Sequence, residues 1–268
     1  MISLLTIFLC IISWEDIGNP TINFRIFFLL TLCVVSLIIS LSLVFMTNKR
    51  TIWEHGNAKI SVIYEDILKM SFYSKNKDKK IVVIPVNTHF DTIVDECIDC
   101  VDKPLVSANS IHGQWIKKML ENNSIEEIDT KIQDYLKRKG VQSVRDEERL
   151  RGNQNEYPIG TISVVNNSNN VDFFLLALTK FNKNNNAQCS DDEFIYTIRN
   201  LIDFYNKIGQ RYTLYLPLLG TSYSRIKYSH QESLEKIITL CKLEKSKIFG
   251  EIKIVIYNKD KNKVSLWQ

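Results

Sequence analysis

The chain has few cysteines and no framework of them. Six in 268 residues, at Cys10, Cys33, Cys97, Cys100, Cys189 and Cys241, are too scattered for a disulfide-dense secreted scaffold, so reduced thiols are expected. Cys97 and Cys100 form a single CxxC with no second pair to complete a zinc site. The spacing reads first as two positions on one helix face, with metal or redox chemistry as the alternative. No internal repeat is present, which excludes a solenoid. A strong excess of one charge sign is also missing. The net charge is +4, and the basic cluster Lys75, Lys77, Lys79 and Lys80 lacks the interleaved aromatics of a nucleic-acid face. The last absence is the most informative: no ionisable residue falls between Ile26 and Met46.

That uncharged apolar run is 21 residues long, bracketed by Arg25 and by Lys49 and Arg50. At the rise of a helix it reaches about 30 Å, the thickness of a bilayer's hydrocarbon core. A buried core helix is the alternative, but globular helices are usually shorter and carry a polar face. The first thirteen residues, MISLLTIFLCIIS, are apolar but short and lack the basic start and small-residue cleavage site of a signal peptide. They read as a first span. Gly18, Asn19 and Pro20 then supply a turn and Trp14 an interfacial anchor, giving a transmembrane helical hairpin over residues 1–50. Lys49 and Arg50 outweigh Arg25, so the positive-inside rule places the larger part, 51–268, in the cytoplasm.

Residues 51–268 suffice for one domain with a sizeable core. Strand patterns fall at Lys59–Tyr64, Lys80–Val86, Gly160–Val165, Val171–Thr179, Arg211–Leu218 and Glu251–Asn258. Helical patterns fall at Ile111–Asn122, Ser124–Arg138, Asp191–Gly209 and His230–Cys241, the second opening with Ser124 and Glu127 at capping-box spacing. Asparagine-rich stretches at 166–170 and 182–186 read as turns. Strands alternating with helices predict an α/β sandwich with a mixed sheet, whose ligand sits beyond the carboxyl ends of the strands. Two strand ends are chemically distinctive. Gly220-Thr221-Ser222-Tyr223-Ser224-Arg225 is a small-residue turn able to cradle a phosphate, and Ser110-Ile111-His112-Gly113-Gln114 brings a glycine to the start of a helix.

The order YEDI, a buried strand ending in Val86-Asn87, a glycine-bearing loop before a helix, a leucine-rich strand and PLLGTSYSR resembles the macro domain family over about 60–257. That resemblance implies a three-layer sandwich binding ADP-ribose. It assigns Asp66 and Ile67 to the adenine end, Asn87 and Phe90 to the two asparagine positions of the family motif, His112 and Gly113 to the first phosphate loop, and Gly220, Thr221, Ser222, Tyr223, Ser224 and Arg225 to the second. The chain departs from the family where Glu65 replaces a glycine and Phe90 an asparagine, and where the first loop holds one glycine. The asparagine replaced at Phe90 helps orient the distal ribose in ADP-ribosyl hydrolases, so no enzyme activity is expected; no cofactor is expected, and with a lone CxxC no metal.

Together with two N-terminal membrane segments, this resembles the membrane effectors of type II Thoeris antiphage defence. Such a resemblance implies an inner-membrane sensor for an ADP-ribose-derived signal, such as an amino-acid conjugate made by a TIR-domain enzyme, which assembles as a homo-oligomer and damages membrane lipid in abortive infection. Ser36, Ser40 and Ser42 read either as small residues that allow close helix approach or as tolerated small polar residues of the span. A membrane-tethered ADP-ribosyl hydrolase, with His89, Asp91 and His112 as the obvious polar groups, and a non-catalytic membrane scaffold are the competing readings.

Overall fold

The computed structural model describes residues 18, 21–46, 48–73, 78–167, 170–182, 186–221 and 228–265. Two compact units emerge, residues 1–48 and 49–268. The expected first span, and with it the hairpin, lies outside the described residues. In the first unit a single helix, α1 (Ile22–Met46), is the one described element long and apolar enough to cross a membrane. Two of its hydroxyls are satisfied internally: Thr31 Oγ1 donates to the Phe27 carbonyl at 2.9 Å and Ser42 Oγ to that of Ile38 at 2.8 Å.

The second unit begins with a strand the sequence reading did not anticipate, β1 (Lys49–His55), so Lys49 and Arg50 are sheet residues. It hairpins into β2 (Ala58–Tyr64), which leads to the short helix α2 (Ile67–Tyr73) and to β3 (Lys80–Asn87). Helices α3 (Ile111–Met119) and α4 (Ile125–Arg138) follow, then β4 (Ile162–Asn166), β5 (Val171–Phe181) and the two-residue β6 (Ala187–Gln188). Helix α5 (Asp191–Ile208), β7 (Thr213–Pro217), α6 (His230–Leu243) and β8 (Glu251–Ile256) complete the unit.

The strands form one mixed sheet in the order β1-β2-β8-β7-β3-β5, with β4 and β6 both antiparallel to β5. β2, β8, β7, β3 and β5 run parallel, so five carboxyl ends open on one edge. Pleat alternation divides the core. Ile81, Val83, Phe174 and Leu176 face α5 and α6, packing on Phe194, Ile198, Leu234 and Ile237. Val82, Ile84, Phe173 and Leu175 face the other side, against Trp115 and Ile116 of α3 and Ile128 and Ile132 of α4. The mixed three-layer α/β/α sandwich expected from the alternation is the observed fold. Three helices start with complete capping boxes, Ser124 with Glu127, Ser190 with Glu193 and Ser229 with Glu232, which satisfies two orphan amides at each start.

Candidate functional site

A cavity of about 600 Å³ opens at the carboxyl edge of the parallel strands. Its floor comes from the ends of β2, β3, β5, β7 and β8, and its walls from the 98–114 segment, the 217–221 turn, His230 at the start of α6 and Asp260 in the turn Asn258–Lys263. Strand ends gather here because in a parallel sheet every connection leaves from the same edge.

Of the residues expected to bind ligand, Asp66, Ile67, Asn87, His112, Gly220 and Thr221 line this cavity. Asp66 also caps α2: its Oδ1 accepts from the backbone N–H of Leu68 at 3.1 Å and of Lys69 at 3.0 Å. Asn87 Oδ1 accepts from the N–H of His89 at 3.0 Å and of Asp91 at 3.3 Å, folding the loop beyond β3 into an Asx turn. His112 carries no charge near neutral pH, because burial pushes its imidazole down to about 3. Gly220 holds φ +87, the left-handed region that a side chain resists. Ser222, Tyr223, Ser224 and Arg225 lie outside the described residues.

Two assignments are corrected. Phe90 is 1% exposed and meets Tyr157 edge-on, so its side chain belongs to the core rather than to the cavity. Its backbone sits at φ +53, held there by Asn153, whose Nδ2 donates to the carbonyls of His89 and Phe90. Gly113 does not line the cavity either. A Cβ there would stand 2.1 Å from the Ser107 carbonyl oxygen, and its N–H already donates to Ser110 Oγ at 3.0 Å. The glycine serves close packing of α3 on the cavity wall, and Ile111 and His112, at the amino end of that helix, face the cavity in its place.

The wall is braced by a segment that sequence reading left blank. Arg149 pairs with Asp91 with both side chains buried, and Asn153 N donates to Asp91 Oδ1 at 2.9 Å. Burial pushes the Asp91 carboxyl up to about 6 against the pull of Arg149, Asn153 and Asn87. Arg151 forks onto Asp95, which also accepts from Leu105 N at 2.7 Å, tying 146–153 to the cavity wall. His89, lowered to about 4 by burial and by Arg149, lies behind this brace, 3.9 Å from Asp146. Sequence reasoning also missed Phe181, Asn186 and Ala187 at the β5–β6 end, and the facing pair His230 and Asp260, 3.8 Å apart. Burial also lowers the His230 imidazole. The expected helical CxxC is a single 3₁₀ turn, Ile98–Cys100, and its thiols, expected reduced, are joined as a disulfide.

Fold and cavity together define a macro domain. A family model described as "Thoeris protein ThsA, Macro domain" matches residues 60–257, and the chain belongs to that family. A curated relative, Thoeris protein ThsA of Bacillus amyloliquefaciens (strain Y2), is 27% identical over 191 residues. The match covers 69% of this chain and 60% of that protein, so this chain spans well under two thirds of the relative's length. Similar solved structures include the Oceanobacillus iheyensis macrodomain with ADP, at 13% identity and TM-score 0.40, covering 81% of this chain and 97% of that one. The macrodomain of Mycobacterium tuberculosis DarG is similar at 13% identity and TM-score 0.42, covering 73% and 96%.

Proposed function

We infer that this protein is a membrane-anchored sensor and effector of antiphage defence that binds an ADP-ribose-derived nucleotide in the cavity of residues 49–268. The observation that carries this reading is the cavity's chemistry. A carboxylate, Asp66, stands at one part of its lining, while the amino end of α3 and the Gly220–Thr221 turn supply backbone amides for a diphosphate. The macro family and the Thoeris relative support the choice of ligand and context. The signal is a conjugate of ADP-ribose supplied by a TIR-domain enzyme. α1 anchors the chain in the inner membrane with the larger unit in the cytoplasm, and ligand-driven association into a homo-oligomer lets the membrane segments disorder lipid. The domain binds without turnover: burial lowers the His112 imidazole to about 3, which makes it a weak base, and His89 stands behind the wall.

Thermal unfolding of residues 49–268 with ADP-ribose and its amino-acid conjugates, followed by chromatography of the ligand, tests this. A raised midpoint with unchanged ligand is the expected result. Conversion of the ligand would mark a membrane-tethered hydrolase, and an unmoved midpoint a scaffold.

A further inference from the structure

The Cys97–Cys100 pair flanks Ile98, a residue of the cavity wall, and nothing in the proposed binding reaction uses it. Both cysteines are exposed, and Ile98, between them, lines the cavity. The ring is minimal: Cys100 N donates to the Cys97 carbonyl at 3.2 Å across a Cα–Cα distance of 5.3 Å. Its surroundings are fixed at both ends. Val94 pairs with Val106 and Asp95 with Ser107 as parallel bridges, and Glu96 reaches Lys117 of α3. Between these ties the sulfur bridge is the one covalent constraint on the turn that presents Ile98.

We propose that Cys97 and Cys100 form a redox site whose dithiol–disulfide state sets the cavity wall and so the affinity for the nucleotide, an inference that rests on the binding function above. A cytoplasmic thiol pool keeps such an exposed pair reduced at rest, and an oxidant closes it. A hydroperoxide takes two electrons from one thiolate, giving a sulfenic acid and an alcohol or water. The second thiol then attacks that sulfur, water leaves, and the S–S bond forms. A dithiol reductant reverses this through a mixed disulfide, leaving two protein thiols and its own disulfide. The other thiols described in residues 49–268 do not compete. Burial pushes both Cys189 and Cys241 up to about 12, leaving little thiolate.

The test uses the full chain in detergent micelles, treated with hydrogen peroxide or with a dithiol, beside a Cys97→Ser/Cys100→Ser variant. Alkylation and mass spectrometry must find the pair linked after peroxide; free thiols at both positions would overturn the site. Hydrogen exchange over residues 98–107 reads the wall without ligand. It should be faster in the dithiol form and in the variant, and equal exchange in all three would overturn the coupling. ADP-ribose should bind the disulfide form at least about fivefold more tightly, since the difference is the seating of one half-buried isoleucine. Equal affinities would overturn the switch. A wall that responds to redox state while no form binds ADP-ribose would support the redox site and refute the ligand instead.

Discussion

Asp66 has two roles on one carboxylate. It caps α2 through Oδ1 and lines the cavity, so alanine should remove both functions and asparagine only one. Asp66→Ala should lose about 1 kcal/mol of stability with the cap, and tenfold or more in ADP-ribose affinity, as expected for a hydrogen bond to a charged group worth about 1.5–3 kcal/mol. Asp66→Asn, an equally good cap, should keep the stability and lose the affinity. Calorimetry with denaturant melts separates the two, and unchanged affinity in both variants would remove Asp66 from the site. His112 makes a second prediction. Its ordinary value near 6.5 falls to about 3 on folding, so the unfolded chain takes up the proton first, and this contribution is present above about pH 6.5 and lost as pH falls toward 3. Asp91, raised to about 6, opposes that trend, so the effect is read as the difference between the native chain and His112→Asn. The stability gap between them should narrow by up to about 1.4 kcal/mol per pH unit below 6.5, as read from urea midpoints; a constant gap would contradict a neutral buried His112. Gly220 was legible as part of a small-residue turn, which has a local signature, whereas Asn87 was assigned only through the resemblance to the family motif. Phe90 was not legible, because the residue that holds its left-handed backbone is Asn153, more than sixty positions away.

At the scale of elements, capping and periodicity carried most of what was readable. The start at Ser124 showed in the sequence because Glu127 follows at capping-box spacing, and β3 because its run is buried on both faces. β1 is a charged edge strand whose alternation is broken by a register shift between Thr51 and Trp53, and α2, with only seven residues, is too short to show a helical period. Gly113 shows how an element can mislead. A glycine at a helix start suggested close approach of a ligand, whereas the close approach is that of the Ser107 backbone. A methyl group there cannot be accommodated without moving α3 from the wall. Gly113→Ala should therefore destabilise by about 1–3 kcal/mol, as overpacking does, and a denaturant midpoint within error of the native one would contradict the packing. Gly220→Glu differs. The turn should tolerate some strain while the added charge repels a diphosphate, so binding should be lost from a protein that still folds.

For the whole molecule, alternation of strands and helices was enough to place the mixed sandwich, because each buried strand and amphipathic helix carries its own pattern. The cavity's outer wall was not readable, since it depends on long-range ion pairs from Arg149 and Arg151 to Asp91 and Asp95 that leave no periodic trace. Residues 49–268 contain both halves of the core, so removal of 1–48 should leave a folded domain with nearly unchanged ADP-ribose affinity and no membrane toxicity. Toxicity that survives the truncation would break the proposed link between sensor and membrane. The central claim is that this cavity holds an ADP-ribose-type nucleotide. The direct test is a crystal structure of residues 49–268 grown with saturating ADP-ribose. The expected result places the adenine beside Asp66 and Ile67 and the diphosphate between the amino end of α3 and Gly220–Thr221; an empty cavity at saturation, or a nucleotide bound elsewhere on the domain, would contradict it.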